Sequence, residues 1–198
     1  MDLSQIDFDA LRKRFEEGRR RTEAEKLRAA VAQKLHALVA LNRSRMDYAE
    51  RFRQMIDEYN AGSVNVEVFF GRLVTFAQEL TAEEKRSVAE GLSEEELALF
   101  DILTKPEKPA ISLTEPERRQ VKTAARDLLE ALKRGKLVLD WRKRQQTRAG
   151  VEKAIQVALD RGLSDKYDKE LYDAKCAAVF QHVYEKYYGA GGSVYGAF

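Results

Sequence analysis

Seven basic side chains lie within the sixteen residues from Lys133 to Arg148, and Asp140 is the only acid among them. Arginine guanidinium groups form paired hydrogen bonds with phosphate oxygens, and lysine ammonium groups attract the same oxygens as point charges. The segment has a net charge of +6, which equals the whole positive excess of residues 105–198. It is therefore the best candidate for contact with an anionic partner, such as a nucleic-acid backbone. The candidate residues are Lys133, Arg134, Lys136, Arg142, Lys143, Arg144 and Arg148.

The same arginines have a second interpretation that involves no partner. If a helix begins at Trp141, Arg144 and Arg148 continue the apolar stripe that runs through Val151 and Ile155. Arginines on such a stripe can extend their charged ends into solvent, or pair with acids of another helix. The sequence contains no helix-turn-helix, zinc-finger or RNA-recognition signature, so it does not support the reading of individual bases.

Three aromatic residues of the C-terminal half are candidates for docking a protein partner. Trp141 stands beside the basic residues, and Tyr184 and Tyr188 lie on the last predicted helix. Both tyrosines point away from the apolar stripe that includes Val179 and Val183. Tryptophan and tyrosine are enriched at protein interfaces, so two tyrosines on one helix face suggest a docking surface.

The N-terminal helical pattern changes phase along its length. At about 100° per residue, Phe8, Leu11 and Phe15 lie on one side of a helix, whereas the later stripe that includes Leu35 is rotated by roughly 150°. One straight helix cannot bury both stripes in one core. Either the helix breaks near Gly18, or its first part is an arm that binds a separate body. The arm interpretation makes Phe8, Leu11 and Phe15 partner-binding residues and predicts that the isolated fragment forms a self-dimer through them.

Helix start signals recur along the chain, and strand signals do not. Ser or Thr followed three residues later by Glu predicts a capping box at Thr81, Ser93 and Thr114. Three prolines in 198 residues leave room for long helices. We predict an all-α, irregular domain of about eight helices with a long N-terminal helix, and not a regular up-down bundle. The predicted helices are residues 7–41, 47–60, 66–80, 82–90, 94–104, 115–134, 141–161 and 169–188.

One proline-containing segment divides this pattern into two lobes. Pro106 and Pro109 push the residues before them out of helical conformation, which predicts a linker. The glycine-rich C-terminus is expected to be a flexible tail, either mobile or docked in an extended conformation. The predicted organisation is an arm at 1–22, an N-terminal lobe at 23–104, a linker at 105–113, a C-terminal lobe at 114–188 and a tail at 189–198.

The residues that commonly carry catalysis or bind metals are sparse. The chain has one cysteine, Cys176, and two histidines, His36 and His182, which are far apart in sequence. Their spacing matches no metal-binding motif, and Cys176 lies on an apolar stripe typical of a core thiol. There is no phosphate-binding Gly-x-x-x-x-Gly-Lys-Ser/Thr loop and no Gly-x-Ser-x-Gly elbow. We therefore expect no metal, no cofactor and no catalytic activity in this domain.

The composition also bears on the compartment. A single cysteine cannot form an internal disulfide, as is typical of the reducing cytosol. No apolar run reaches the length of about 20 residues that a membrane span needs. The N-terminus has acids where a signal peptide would have lysine and arginine. These features predict a cytoplasmic protein.

Three ordered blocks of this sequence resemble a known family. They are DEYNAGSVNVEVFF at 57–70, LDWRKRQQTR at 139–148 and CAAVFQHVYEKYYG at 176–189. They are similar to the C-terminal helical region of the R (restriction and motor) subunit of type I restriction enzymes, and the similarity extends over roughly the whole chain. The family's R subunit cuts DNA and translocates on it with ATP, through nuclease and helicase motifs that this chain lacks.

The resemblance implies a non-catalytic role in assembly. The family's C-terminal helical region is linked to assembly with the methyltransferase (M) subunits and to DNA contact. The expected partners are therefore the M subunit, the motor domains of the parent R subunit and, without sequence preference, the DNA backbone. The resemblance assigns no individual residues, so the site residues above rest on charge and periodicity. A free-standing nucleic-acid-binding module and a purely structural spacer are the alternatives.

Overall fold

The computed structural model describes residues 3, 6–105 and 112–197, and almost all of its regular structure is helical. The all-α prediction is confirmed, with one two-stranded antiparallel hairpin added. The described residues form helices α1 (Phe8–Glu16), α2 (Arg20–Leu41), α3 (Met46–Asn60), α4 (Val66–Glu84), α5 (Arg86–Glu90), α6 (Glu94–Thr104), α7 (Glu115–Gly135), α8 (Gln145–Gly162) and α9 (Lys169–Lys186). They also form strands β1 (Tyr187–Gly189) and β2 (Gly192–Ser193), and 3-10 turns at Arg43–Arg45 and Val194–Ala197.

The chain divides into two compact units, Met1–Glu90 and Gly91–Phe198. This boundary precedes α6, whereas we predicted it at the linker 105–113. The reason is that α6 buries Leu97, Leu99 and Phe100 in the core of the second unit, where α7 and α9 pack against it. Most of the predicted linker, residues 106–111, lies outside the described residues.

The predicted long N-terminal helix is wrong, because the chain breaks between α1 and α2. Gly18 has a φ of +103°, a left-handed conformation that glycine adopts without strain. The break lets the stripe of α1 face the same core as the stripe of α2. Leu11 and Phe15 are buried together with Leu35 and Leu38, and the ring of Phe15 stacks on that of Phe70 at 3.9 Å between centroids.

The predicted arm at 1–22 is therefore wrong as well. Leu11 and Phe15 are buried within the first unit, and Phe8 is half-buried against the same core. An apolar strip that already has an intramolecular partner is not available for docking. The reason for expecting a self-dimer of the fragment is removed with it.

The first unit contains a buried ion pair between the 3-10 turn that follows α2 and helix α4. Arg45 and Glu83 are both buried, and their side chains meet at 2.8 Å between Nε and Oε1.

The predicted helix start at Thr81 is wrong, because α4 continues through it to Glu84. The Thr81 hydroxyl donates back to the Ala77 carbonyl at 2.9 Å, as threonines inside helices commonly do.

The second unit is built around α7, which packs against α6 and α8. Both capping boxes predicted in this unit are confirmed, because Ser93 pairs with Glu96 and Thr114 pairs with Glu117 at the starts of α6 and α7. The antiparallel partners α7 and α8 approach closely at Gly162. A Cβ atom added there would lie 2.2 Å from the Cβ of Ala124, so the position requires glycine.

The predicted flexible tail is wrong for residues 189–197, which fold back onto the second unit. Strand β1 pairs with β2, and the following 3-10 turn places Tyr195 against the core. Gly189 has a φ of +93°, and a Cβ atom there would lie 2.5 Å from the Val138 carbonyl oxygen. The Ala190 amide donates to the Leu137 carbonyl at 3.0 Å, which fixes the hairpin to the chain between α7 and α8.

Candidate nucleic-acid and partner interface

The basic segment spans three elements and not one helix. Lys133 and Arg134 end α7, and the chain then turns through Asp140, whose φ is +57°. Helix α8 begins only at Gln145, and the Thr147 hydroxyl in its first turn donates to the Trp141 carbonyl at 2.7 Å. The helix predicted to start at Trp141 therefore starts four residues later than expected. The seven cations do not lie on the faces of a single helix.

Trp141 is fully buried, so its predicted role in partner binding is wrong. Its indole Nε1 donates to the Tyr187 carbonyl at 3.1 Å. Its ring meets Phe180 and Tyr184 edge to face, with centroids 6.4 and 5.8 Å away. A buried indole with a satisfied N–H is an anchor of the core, and here it attaches the connector between α7 and α8 to the C-terminal hairpin.

Arg142 also faces the protein. Its Nε donates to the Tyr187 carbonyl at 3.0 Å, and its guanidinium lies over the rings of Tyr188 and Tyr184, 4.8 and 5.2 Å from their centroids. Its Nη2 is buried and has no hydrogen-bond partner in the described part of the chain. Cation–π contact of this kind is stronger when the cation is shielded from water. Arg142 therefore holds the connector against β1 and the end of α9.

Arg148 is tied to the same connector. Its Nη1 donates to the Arg142 carbonyl at 3.1 Å, and its side chain is half-buried. The hydrogen bond uses part of the guanidinium fork that a bidentate phosphate contact would need. Two of the seven predicted DNA-contacting residues thus have structural contacts within the second unit.

Three more of the seven cations pair with carboxylates. Lys133 Nζ lies 2.5 Å from Oε2 of Glu95, and Lys143 Nζ lies 2.8 Å from Oδ1 of Asp140. Arg134 pairs with Glu130 one helical turn earlier. These cations remain largely exposed. Exposed ion pairs are weak, so a stronger anion such as a phosphate can compete for them.

Lys136 and Arg144 are the cations of the basic segment that are both exposed and unpaired among the described residues. Both side chains are exposed, and neither forms an ion pair or a side-chain hydrogen bond with another residue that the structure describes. They flank the connector, with Lys136 just after α7 and Arg144 just before α8. The freely available positive surface of the predicted segment is therefore centred on these two residues, with Arg134 and Lys143 as weakly paired neighbours.

The two predicted tyrosines differ in exposure. Tyr188 is 54% exposed and carries the guanidinium of Arg142 on one face. Tyr184 is half-buried between Trp141 and Arg142. Tyr188 is thus the one of the two with a ring free to contact a partner.

A groove between α7 and α8 is a feature that the sequence reasoning missed. It has a volume of about 560 Å³ and is open to solvent. Small residues on the facing sides of two helices are the signal that could have revealed it, because they leave the space between the helices unfilled. The residues lining it are Gln120, Thr123, Ala124, Asp127, Ala131, Lys136, Gly150, Lys153, Ala154, Val157, Ala158, Arg161 and Gly162.

In the second unit, His182 and Cys176 are the residues best suited by type to proton transfer or metal binding, and they are buried and half-buried, respectively. Burial lowers the pKa of His182 to about 4, and its Nε2 lies 3.0 Å from the hydroxyl of Tyr195. Burial raises the pKa of the Cys176 thiol, which keeps it protonated at neutral pH. Across residues 3, 6–105 and 112–197, no three His, Cys, Asp or Glu side chains are grouped as metal ligands would be.

No helix among the described residues combines the length and the apolar character that a transmembrane span requires.

Comparison with known proteins places the chain in a family. Residues 1–187 match the family described as type I restriction enzyme HindI endonuclease subunit-like, C-terminal. Over 132 residues, or 64% of the chain, the sequence is 24% identical to a Methanocaldococcus jannaschii protein assigned by name as the type I restriction enzyme MjaIXP endonuclease subunit. The match spans 12% of that relative's length. No solved structure matches the chain. The chain belongs to the family of C-terminal regions of HindI-like type I restriction enzyme endonuclease subunits.

Proposed function

We propose that this region is a non-catalytic assembly domain. In this proposal it docks the nuclease and translocase subunit of a type I restriction enzyme on the methyltransferase core, and it makes an accessory electrostatic contact with DNA. The observation that carries the proposal is the family match over residues 1–187, combined with the small share, 12%, of the named endonuclease subunit that the matched segment represents. A short helical region of a long nuclease subunit is suited to hold that subunit in its complex. In this proposal the complex assembles on DNA in the cytoplasm.

The proposed DNA contact rests on the exposed cations around the connector. Lys136 and Arg144 are exposed and unpaired within the described residues, and Arg134 and Lys143 keep most of their side chains in solvent. Each cation that neutralises a phosphate releases a condensed counterion, so the binding weakens as salt is added. Four such contacts would support a sequence-independent interaction whose strength depends on salt.

A purely structural spacer is the second candidate, and a specific observation favours it. Of the seven cations of the basic segment, Arg142 and Arg148 bond to backbone carbonyls, and the pairs of Lys133 with Glu95 and of Lys143 with Asp140 further reduce the free charge. A surface that compensates its own charges has less to offer to DNA. In this case the domain would separate or orient other parts of the subunit without touching nucleic acid.

Two measurements on the 198-residue chain test the proposal. Binding to purified methyltransferase subunits of the same restriction system, measured by surface plasmon resonance, tests the docking role. Binding to duplex DNA of unrelated sequences between about 50 and 200 mM salt tests the DNA contact. The proposal predicts binding in both experiments, with a steep salt dependence in the second. Absence of methyltransferase binding would remove the docking role. Absence of DNA binding alone would remove the DNA contact and leave the docking role, and absence of both would leave the spacer.

A further inference from the structure

The groove between α7 and α8 has an apolar floor with little side-chain volume. Ala131 of α7 and Ala154 and Ala158 of α8 line it, and Gly150 and Gly162 mark its two ends on α8. Helices that pack side by side normally fill the space above their line of contact with larger side chains. Here the small side chains leave a trench, and Val157 at its edge is 41% exposed.

The walls of the trench differ in charge. Lys153 and Arg161 lie on the α8 side and Lys136 lies at one end. The α7 side carries one acid, Asp127, and otherwise only uncharged residues. Lys136, Lys153 and Arg161 have no ion-pair partner in the part of the chain that the structure describes. The groove therefore presents an apolar floor with an excess of positive charge along its α8 side. A partner surface that complements this groove is apolar along one face and negatively charged along one flank.

The dimensions of the trench fit an α-helix. From Gln120 to Ala131 the floor follows α7 for about 16 Å, or roughly three turns at 1.5 Å per residue. An amphipathic helix laid along two others places residues at positions i, i+3 or i+4 and i+7 into the groove between them. Lys153, Val157 and Arg161 recur at four-residue intervals, which matches the spacing of carboxylates on one flank of an incoming helix.

We propose that the α7–α8 groove is the docking site for an amphipathic, acidic helix of the methyltransferase subunit. The apolar face of that helix packs on Ala131, Ala154 and Ala158, and its carboxylates face Lys153 and Arg161. This inference rests on the proposed function, because it names the surface and the chemistry through which the docking takes place. A small molecule fits the groove less well, since enclosed ligand sites converge several polar groups on one point and this trench is long and open.

Charge reversal in the intact subunit tests the electrostatic half of the inference. The double variant Lys153→Glu and Arg161→Glu is expected to lower the rate of association with purified methyltransferase subunits by about tenfold at low salt, because like charges then face each other. The matched control is Arg53→Glu with Lys169→Glu, which changes the net charge equally at exposed sites outside the groove. Circular dichroism melting of both variants checks that each remains folded.

A photo-crosslinker in place of Val157 tests the identity of the occupant. In a mixture of the intact subunit and methyltransferase, we expect crosslinks to one helical segment of the methyltransferase that carries Asp or Glu every three or four residues. A crosslinker in place of Arg53 serves as the control and is expected to give no such product. Crosslinks from position 157 only to DNA, to a small molecule or to nothing would contradict the inference.

The outcomes separate this inference from the proposed function. If wild-type subunit binds the methyltransferase but the charge-reversed groove variant binds as fast as its control, the groove is not the docking site and the docking role stands. If the wild-type subunit does not bind the methyltransferase, the proposed function fails and the groove inference fails with it. Slower association of the groove variant, together with the expected crosslinks from position 157, supports both.

Discussion

Arg142 and Arg144 lie two positions apart and have different roles. The guanidinium of Arg142 rests on Tyr184 and Tyr188 and donates to the Tyr187 carbonyl, whereas Arg144 is exposed with no side-chain partner among the described residues. Charge density along the sequence does not distinguish the two. The direction of each side chain depends on the turn at the connector, which places the first arginine against the hairpin and the second in solvent.

The difference gives a prediction for Arg142. Replacement by Ala is expected to lower the free energy of unfolding by about 1–3 kcal/mol, because a shielded cation–π contact and a hydrogen bond are lost together. The slope of log K against log salt for DNA binding is expected to stay the same. Urea unfolding and DNA titrations measure the two quantities. A flatter slope with unchanged stability would show that Arg142 contacts phosphate.

The opposite outcome is expected for Lys136 and Arg144. Their double replacement by Ala is expected to change the free energy of unfolding by less than about 0.5 kcal/mol, as is typical of exposed sites. It is expected to reduce the magnitude of the salt slope by up to about 1.8, or about 0.9 for each lost phosphate contact. DNA titrations at several salt concentrations measure the change. An unchanged slope would mean that neither residue meets DNA.

His182 gives the second unit a pH dependence. Burial lowers its pKa to about 4, with a smaller contribution in the same direction from Lys186 and an opposing one from Glu185. In the unfolded chain a histidine titrates near 6.5, so the unfolded state takes up the proton first as the pH falls. The stabilising effect of a neutral His182 is complete above about pH 6.5, declines as the pH falls toward 4 and is lost below it.

The corresponding test compares wild-type protein with His182→Gln. Between pH 7 and pH 4 the wild-type protein is expected to lose up to about 3 kcal/mol more stability than the variant, because glutamine does not titrate. Urea unfolding at several pH values gives the difference, and carboxylates common to both proteins cancel. Parallel stability curves for the two proteins would contradict the assignment of a buried, neutral His182.

At the scale of elements, helix α1 belongs to the core of the first unit. Phe15→Ala is expected to lower the free energy of unfolding by about 3–5 kcal/mol, because the buried ring stacks on Phe70 and its loss leaves a cavity. Arg12→Ala on the exposed side of the same helix is the control and is expected to have little effect. Denaturant unfolding measures both. If Phe15→Ala were as stable as Arg12→Ala, α1 would be the detached arm after all.

The elements show which parts of the fold local sequence determines. Capping boxes at Ser93 and Thr114 depend on residues three positions apart, so the sequence predicts them correctly. The hairpin depends on Gly189 passing close to the Val138 carbonyl, a contact between positions about fifty residues apart. Thr81 has the sequence of a cap but lies inside α4, because the buried face of α4 continues past it to Glu83, which pairs with the distant Arg45.

The candidate site depends even more on distant contacts. The sequence identified the basic segment, but the inward turn of Arg142 requires the end of α9 and β1 to lie beside the connector. The groove between α7 and α8 arises from small residues on two helices that become neighbours only in the folded unit. The composition therefore locates the basic segment. Tertiary packing determines which of its side chains remain available to a partner.

At the scale of the whole molecule, we expect the chain to lack catalytic activity. The sequence carries no phosphate-binding loop and no nucleophile elbow, and the established family covers a C-terminal region only. Purified chain is expected to show no nuclease activity and no sustained ATP hydrolysis, measured with supercoiled plasmid and with phosphate release. Activity that survives stringent purification and is abolished by a single substitution in this chain would overturn that expectation.

The measurement that tests the central proposal most directly is competition for the methyltransferase. Labelled intact endonuclease subunit is first bound to purified methyltransferase subunits, and the 198-residue chain is then added in excess. If the chain is the assembly domain, it displaces the intact subunit in a concentration-dependent manner, and the Lys153→Glu, Arg161→Glu variant displaces it less well. If the intact subunit stays bound at every concentration of the wild-type chain, assembly depends on other parts of the subunit and the proposed function is wrong.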